Sequence, residues 1–223
     1  MQDTKAAESR KKMVENQLVA RGIEHPAVLR AMAEVPREQF VPGRWVEHAY
    51  ADSPLPIGKE QTISQPYIVA LMTEALEPSP GHRVLEIGTG SGYAAGILSR
   101  IVEEVYTIER HGSLADAARE RYEALGYDNI YVLHSDGTLG WTEHAPYNGI
   151  VVTAGGPAVP DPLLAQLAIG GRLVIPVGST PTVQELVRVR RIAEGEYRRE
   201  NLGAVRFVPL VGERGWDGRK YGE

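Results

Sequence analysis

One stretch constrains the chain more than any other: residues 83–92, Arg-Val-Leu-Glu-Ile-Gly-Thr-Gly-Ser-Gly. Val84, Leu85 and Ile87 form a short apolar run with turn residues before it (Pro78-Ser79-Pro80-Gly81) and glycines after it. That pattern suits a strand buried on both faces of a parallel sheet. Gly88, Gly90 and Gly92 have no Cβ, so the backbone there can turn tightly and approach a ligand. Residues 93–102 then read as an apolar helix. Strand, glycine loop and helix together make a nucleotide-cofactor site.

The glycine spacing leaves two cofactor classes open. Gly90-Ser91-Gly92-Tyr93-Ala94-Ala95 fits the dinucleotide pattern G-x-G-x-x-A. Glu86 with Gly88, Gly90 and Gly92 fits the E-x-G-x-G-x-G loop of enzymes that use S-adenosyl-L-methionine (SAM). Glu86 tilts the reading to SAM, because a carboxylate at the strand's end suits a cationic amino-acid group and repels a pyrophosphate. Glu109 stands 21 residues after Gly88, at the end of the next strand, where an acid can accept both ribose hydroxyls of either cofactor. Asp136-Gly137 after the third strand suits an adenine amino group, or else a plain Asp-Gly turn.

The chain around this stretch alternates strand and helix. Strands are expected at 105–108, 130–133, 149–153 and 172–177, with helices at 114–125 and 162–167. This predicts an α/β fold: a doubly wound, mostly parallel, Rossmann-like sheet. Residues 185–192 and 204–210 read as a terminal antiparallel strand pair joined through the polar stretch 193–201. An N-terminal helical extension precedes the sheet. Met13, Val14 and Leu18 share a helix face that Gly22 stops, and a second helix starts at Pro26 and ends before Pro36. Residues 40–66 carry Pro42, Pro54, Pro56 and Pro66 with no sustained period, and read as an ordered loop covering a site. An amphipathic helix follows Pro66. The expected division is an extension and substrate-covering loop at 1–78 and a cofactor core at 79–223, packed as one unit.

Composition narrows the function. The 223 residues include no cysteine, which excludes disulfides and cysteine-ligated metals. The six histidines show no close ligand spacing, so no metal is expected. Net charge is −5 without a dense basic block, which disfavours nucleic acid. No apolar run reaches membrane-spanning length, and the start has no signal-peptide pattern. A cytoplasmic monomer is the expectation. Ser64, ahead of Gln65-Pro66, reads from its neighbours alone as a helix cap or loop hydrogen bond, and Thr62 likewise.

Taken together, the motifs resemble the protein-L-isoaspartate (D-aspartate) O-methyltransferase family. The matching stretches are Asp52-Ser53-Pro54-Leu55-Pro56-Ile57-Gly58, Gln61-Thr62-Ile63-Ser64 and Val84 to Tyr93. Further on they are Asp136-Gly137, Val151-Val152-Thr153-Ala154, Gly170 to Gly178, and Phe207-Val208-Pro209-Leu210. The resemblance runs from about Met13 to Trp216, and the Thr-Ile-Ser segment is its specific part. It implies SAM as cofactor, with S-adenosyl-L-homocysteine as product, and isoaspartyl-containing proteins and peptides as substrates. It places the functional serine on Ser64 and the substrate segment on Thr62, Ile63 and Ser64. The cofactor residues it implies are Glu86, Gly88, Thr89, Gly90, Ser91, Gly92, Glu109, Arg110, Asp136 and Gly137. The chain departs from the family's usual residues at Gln65 (commonly Ala) and Tyr67 (commonly His). The competing readings are a methyltransferase for a small molecule or another side chain, a non-catalytic nucleotide-binding module and, more distantly, an NAD enzyme.

Overall fold

The fold is taken from a computed structural model that describes residues 2–218. Helix α1 (Gln2–Met13) continues into a π turn (Val14–Leu18) and a 3-10 turn (Val19–Arg21). It stops at Gly22, whose φ of 87° only glycine adopts freely. Helix α2 (Pro26–Glu34) starts on a proline whose missing N–H costs nothing in a first turn. Its Val28, Ala31 and Met32 are buried.

Residues 37–63 are more structured than their proline content predicts. Two 3-10 turns, Arg37–Phe40 and Gly43–His48, are followed by a small antiparallel hairpin of β1 (Leu55–Gly58) and β2 (Gln61–Ile63). Elements this short bury one residue each side, Leu55 and Ile63, so they leave no period to detect. Helix α3 (Pro66–Ala75) then leads to the sheet.

Seven strands form that sheet. They are β3 (Arg83–Ile87), β4 (Glu104–Glu109), β5 (Ile130–His134), β6 (Tyr147–Val152), β7 (Leu167–Thr180), β8 (Val183–Ala193) and β9 (Glu196–Val205). Helices α4 (Tyr93–Ser99), α5 (Gly112–Ala124) and α6 (Asp161–Ala165) make the crossovers. The order is β5-β4-β3-β6-β7-β8-β9, with the first five strands parallel and β8 and β9 antiparallel. Chain direction across the sheet reverses between β3 and β6, and ligands bind outside the strand ends at such a switch point.

Alternate residues of β3 enter two separate cores. Val84 joins Val105, Val151 and Val174 under helices α1–α5. Leu85 and Ile87 join Ile108, Ile150, Val152, Leu173 and Ile175 on the other face, covered by α6 with Leu163 and Leu164. Burial on both faces explains why these strands read as continuous apolar runs.

Three boundaries differ from expectation. Helix α4 ends at Ser99 rather than 102, and Ile101 and Val102 pack as a final turn on the Leu98 carbonyl. Strand β7 runs well past 172–177 at both ends. Its continuation lies so close to β8 that a Cβ at Gly178 would fall 1.9 Å from the Val183 carbonyl oxygen. The last strand is Glu196–Val205, not 204–210, and its turn falls at Gly195 with φ 71°. Its Glu196, Arg198, Arg199 and Glu200 are exposed. An edge strand dressed in charges avoids edge-to-edge pairing and so carries no apolar signature.

Candidate active site

A cleft opens at the carboxyl ends of β3, β4 and β6, with about 970 Å³ of empty space counted to where it meets solvent. The glycine loop forms its floor. Gly88 has φ 97°, and a Cβ there would stand 2.4 Å from Thr153 Oγ1. The Thr153 hydroxyl, at the end of β6, shares its proton between the Ile87 and Gly88 carbonyls at 3.0 and 2.7 Å. The Gly88 amide donates to the Ile108 carbonyl at 2.8 Å. The loop is therefore tied to the strands on both sides of β3.

Glu86 is fully buried and lines the cleft. The Thr107 hydroxyl donates to its Oε2 at 2.5 Å and in turn accepts from Thr89 at 2.6 Å. Its Oε1 is buried without a well-formed hydrogen bond. Burial pushes this carboxyl up to about 8, the Thr107 hydroxyl and, more weakly, the Ala95 amide opposing the rise and the nearby Glu109 adding to it. Glu109 also lines the cleft and is 5% exposed. Its Oε2 accepts from the Gly90 amide and its Oε1 from the His111 amide, each at 2.9 Å. That is a fixed carboxylate, not a solvated loop acid.

Asp136 is placed differently from Glu86 and Glu109. Its Oδ1 accepts from the Thr138 amide and hydroxyl at 2.9 and 2.7 Å, and its Oδ2 accepts from the Glu213 amide at 2.7 Å. It caps a 3-10 turn and pins the C-terminal segment, and the residue that reaches the cleft is Gly137. A Cβ on Gly137 would fall 2.4 Å from Ile87 Cγ2, so only glycine fits between turn and strand. Gly92 likewise stays outside the lining. It has φ 88°, sits under the Tyr122 ring and receives the Tyr122 hydroxyl on its carbonyl at 3.0 Å.

Thr62, Ile63 and Ser64 line the same cleft. The Ser64 side chain does not cap α3: Gln65 holds the cap position, with no side-chain hydrogen bond. The departures Gln65 and Tyr67 are not part of the lining. The Tyr67 ring carries the Arg21 guanidinium 3.5 Å from its centroid, and Arg21 pairs with Asp52 at 2.7 Å. Thr89, Gly90, Ser91 and Arg110 complete the predicted residues found on the cleft.

Four contributions were not among the expected site residues, although Ile57, Tyr93 and residues 208–210 lie in stretches that carry the resemblance. Arg37 stands directly behind Ser64 and donates to its carbonyl at 2.8 Å. Ile57, on the hairpin, lies within 3.4 Å of where a Gly90 Cβ would be. Tyr93 joins the lining from the first turn of α4. Residues 208–211 also reach the cleft, carried there by the Gly155 amide bonded to Val208 and by Leu210 bonded back to Gly155, both at 2.8 Å. Among the described residues no cluster of three acidic, histidine or cysteine side chains is arranged for a metal ion.

Comparison with known proteins adds the lineage of this arrangement. Residues 8–215 match the family model described as protein-L-isoaspartate(D-aspartate) O-methyltransferase. The chain belongs to this family. It is 65% identical over 204 residues to protein-L-isoaspartate O-methyltransferase 2 of Pelobacter propionicus, covering 92% of this chain and 91% of that one. It is 63% identical over 210 residues to protein-L-isoaspartate O-methyltransferase 1 of Geotalea uraniireducens, covering 94% and 96%. Among solved structures, a protein-L-isoaspartate O-methyltransferase superposes with a TM-score of 0.85 at 29% identity, covering 92% of this chain and 67% of that one. A Plasmodium falciparum beta-aspartate methyltransferase, solved in complex with S-adenosyl-L-homocysteine, superposes with a TM-score of 0.77 at 26% identity, covering 91% and 98%.

Proposed function

We propose that this chain transfers a methyl group from SAM to the free carboxylate of L-isoaspartyl residues, and of D-aspartyl residues, in damaged proteins and peptides. The observation that carries the proposal is one cleft with two chemically distinct walls. One wall is the Thr62-Ile63-Ser64 segment; the other is a glycine loop flanked by Glu86 and Glu109.

SAM, when bound, supplies a methyl group activated by its sulfonium charge. The chain's residues fit such a guest. Glu86 offers a buried carboxyl oxygen without a well-formed hydrogen bond, suited to an amino-acid ammonium. Gly88, Thr89, Gly90 and Ser91 provide close backbone approach, with Gly92 holding the turn from behind. Glu109, already oriented by two amides, serves the ribose, and Arg110 and Gly137 border the same end. Asp136 supports the adenine side through the position it gives Gly137.

The acceptor needs no general base. A carboxylate with a pKa of roughly 4 is ionised at neutral pH. Ser64 orients it by hydrogen bond, and the hairpin and residues 208–211 keep water away. Alignment of this kind supplies roughly 7–11 kcal/mol in favourable cases. Repair then proceeds off the enzyme: the neighbouring backbone nitrogen displaces methanol from the ester, and the resulting succinimide reopens in part to normal aspartate.

We further infer that residues 1–78 cover substrate and residues 79–223 hold cofactor, acting as one unit. A shared core from Met13 to Ile63 and from Val84 to Val174 supports this. A monomer in the cytoplasm, working without nucleic acid, suits the acidic, cysteine-free composition. The deciding experiment is transfer of labelled methyl from SAM to an isoaspartyl peptide, beside the matched aspartyl peptide. Label is expected on the isoaspartyl peptide alone. Equal label, or none, would refute the assignment.

A further inference from the structure

Arg37 is the largest fully buried side chain among the described residues, with 0% of its surface exposed. A buried guanidinium is ordinarily matched by a carboxylate, because desolvating an unpaired charge is expensive. None pairs with Arg37 among the described residues. Glu38 receives the Tyr50 hydroxyl, and Asp52 is paired with Arg21. The Arg37 donors go instead to two neutral carbonyls, Nε to Ala49 at 2.7 Å and Nη2 to Ser64 at 2.8 Å. Its Nη1 is buried without a well-formed hydrogen bond, the Tyr93 side chain being the group that acts on the guanidinium there. The guanidinium carbon lies 4.8 Å from the centroid of Tyr93, the residue that opens α4 behind the glycine loop. A single cation thus links the backbone of the substrate segment to the wall of the cofactor cleft.

Burial lowers the Arg37 pKa, but an arginine remains protonated at neutral pH. Its positive field is weakly screened, since little water reaches it. No carboxylate forms an ion pair with it, Asp52 acting only from a distance while paired to Arg21, and the residue it holds, Ser64, lines the cleft.

We infer that Arg37 is a positioning and specificity residue whose missing counter-charge is the acceptor carboxylate of the substrate. It acts through Ser64, fixing the segment's backbone while its charge favours an anionic group at that wall. This rests on the methyl-transfer reading above. It adds that selection of a carboxylate over a neutral isostere is set by a residue that does not itself line the cleft.

The test compares wild type with Arg37→Lys, which keeps the charge but cannot fork to two carbonyls, and with Arg37→Met, which keeps bulk without charge. Methyl transfer to an isoaspartyl peptide is followed as separate kcat and KM, and S-adenosyl-L-homocysteine affinity by calorimetry. The methionine variant is expected to raise peptide KM about tenfold or more, the lysine variant to stay within about threefold, and both to hold the cofactor product within about twofold. Equal KM in the lysine and methionine variants, or an unchanged KM in both, overturns the proposal. If the methionine variant does not fold, Arg37→Gln takes its place with the same expectation. Should every neutral variant fail to fold while the lysine variant folds and works normally, the charge serves folding, and the proposal falls. A wild type inactive on the isoaspartyl peptide removes the methyl-transfer reading and this proposal together. An active wild type with indifferent variants removes this proposal alone.

Discussion

At the residue level, the two side chains on which the proposed chemistry rests, Glu86 and Ser64, are distinguished by what surrounds them. Glu86 is buried and protonated to about pH 8 without ligand, so the folded state carries a proton that the unfolded chain loses above about pH 4.5. The sign follows. The contribution to stability is fully present below the ordinary carboxylate range and is lost as pH rises through about 8. Unliganded wild type should therefore lose melting temperature between pH 6 and pH 9, and Glu86→Gln should flatten that loss by about 3 °C or more in paired thermal scans. The same substitution should weaken S-adenosyl-L-homocysteine binding about tenfold or more, because a neutral amide replaces a charge-assisted partner. Stability and affinity thus move in opposite directions, which separates a ligand group from a structural one. On the proposed reading Ser64→Ala removes one hydrogen bond to the acceptor anion, and a kcat loss of about ten- to a hundredfold is expected with product affinity unchanged. An unaltered kcat on an isoaspartyl peptide would sink the role given to Ser64.

Among the elements, the ones that were hard to read are those with least apolar surface to bury. Strands β3, β4 and β6 announce themselves through Val, Ile and Leu because both of their faces are covered. The β1–β2 hairpin and β9 do not, since the first buries few side chains and the second is a charged edge. What anchors that edge is polar. Arg188 grips Glu200 across the β8–β9 pair at 3.0 and 2.6 Å, and Glu77 binds both Arg172 of β7 and Arg188 of β8. Glu77→Ala leaves both arginines with less to bind, and a loss of about 0.5–1 kcal/mol is expected by urea unfolding. The loss should shrink in high salt, as the Glu77 carboxylate is half exposed; a loss independent of salt argues for packing instead.

For the molecule as a whole, the cleft is closed by chain segments far apart in sequence. Residues 206–216 are held to the rest of the chain by side-chain ties as well as by the Gly155 bonds to Val208 and Leu210. Gln184 accepts from the Phe207 amide at 2.8 Å, the Glu213 amide donates to Asp136, the Arg214 amide donates to the Thr138 hydroxyl at 3.1 Å, and the Trp216 indole donates to the Gly155 carbonyl at 2.8 Å. Trp216→Ala removes the last of these, so faster amide hydrogen exchange across 206–216 and weaker binding of both peptide and cofactor product are expected. Unchanged exchange there would show that the remaining ties suffice. The sequence by itself determined the parallel core, the glycine loop and the two acids that lie on the cleft, whereas the Thr-Ile-Ser segment was pointed to only by the family resemblance. The core, loop and acids follow from constraints acting over a few residues: φ values open to glycine, strand burial on both faces, and an acid at a strand end. Only the tertiary structure decided that Asp136 turns away to pin a distant segment, that residues 208–211 close the cleft, and that Arg37 lies buried without a counter-ion. Hydrogen-bond partners and desolvation are set by neighbours tens of residues away, and no local pattern records them.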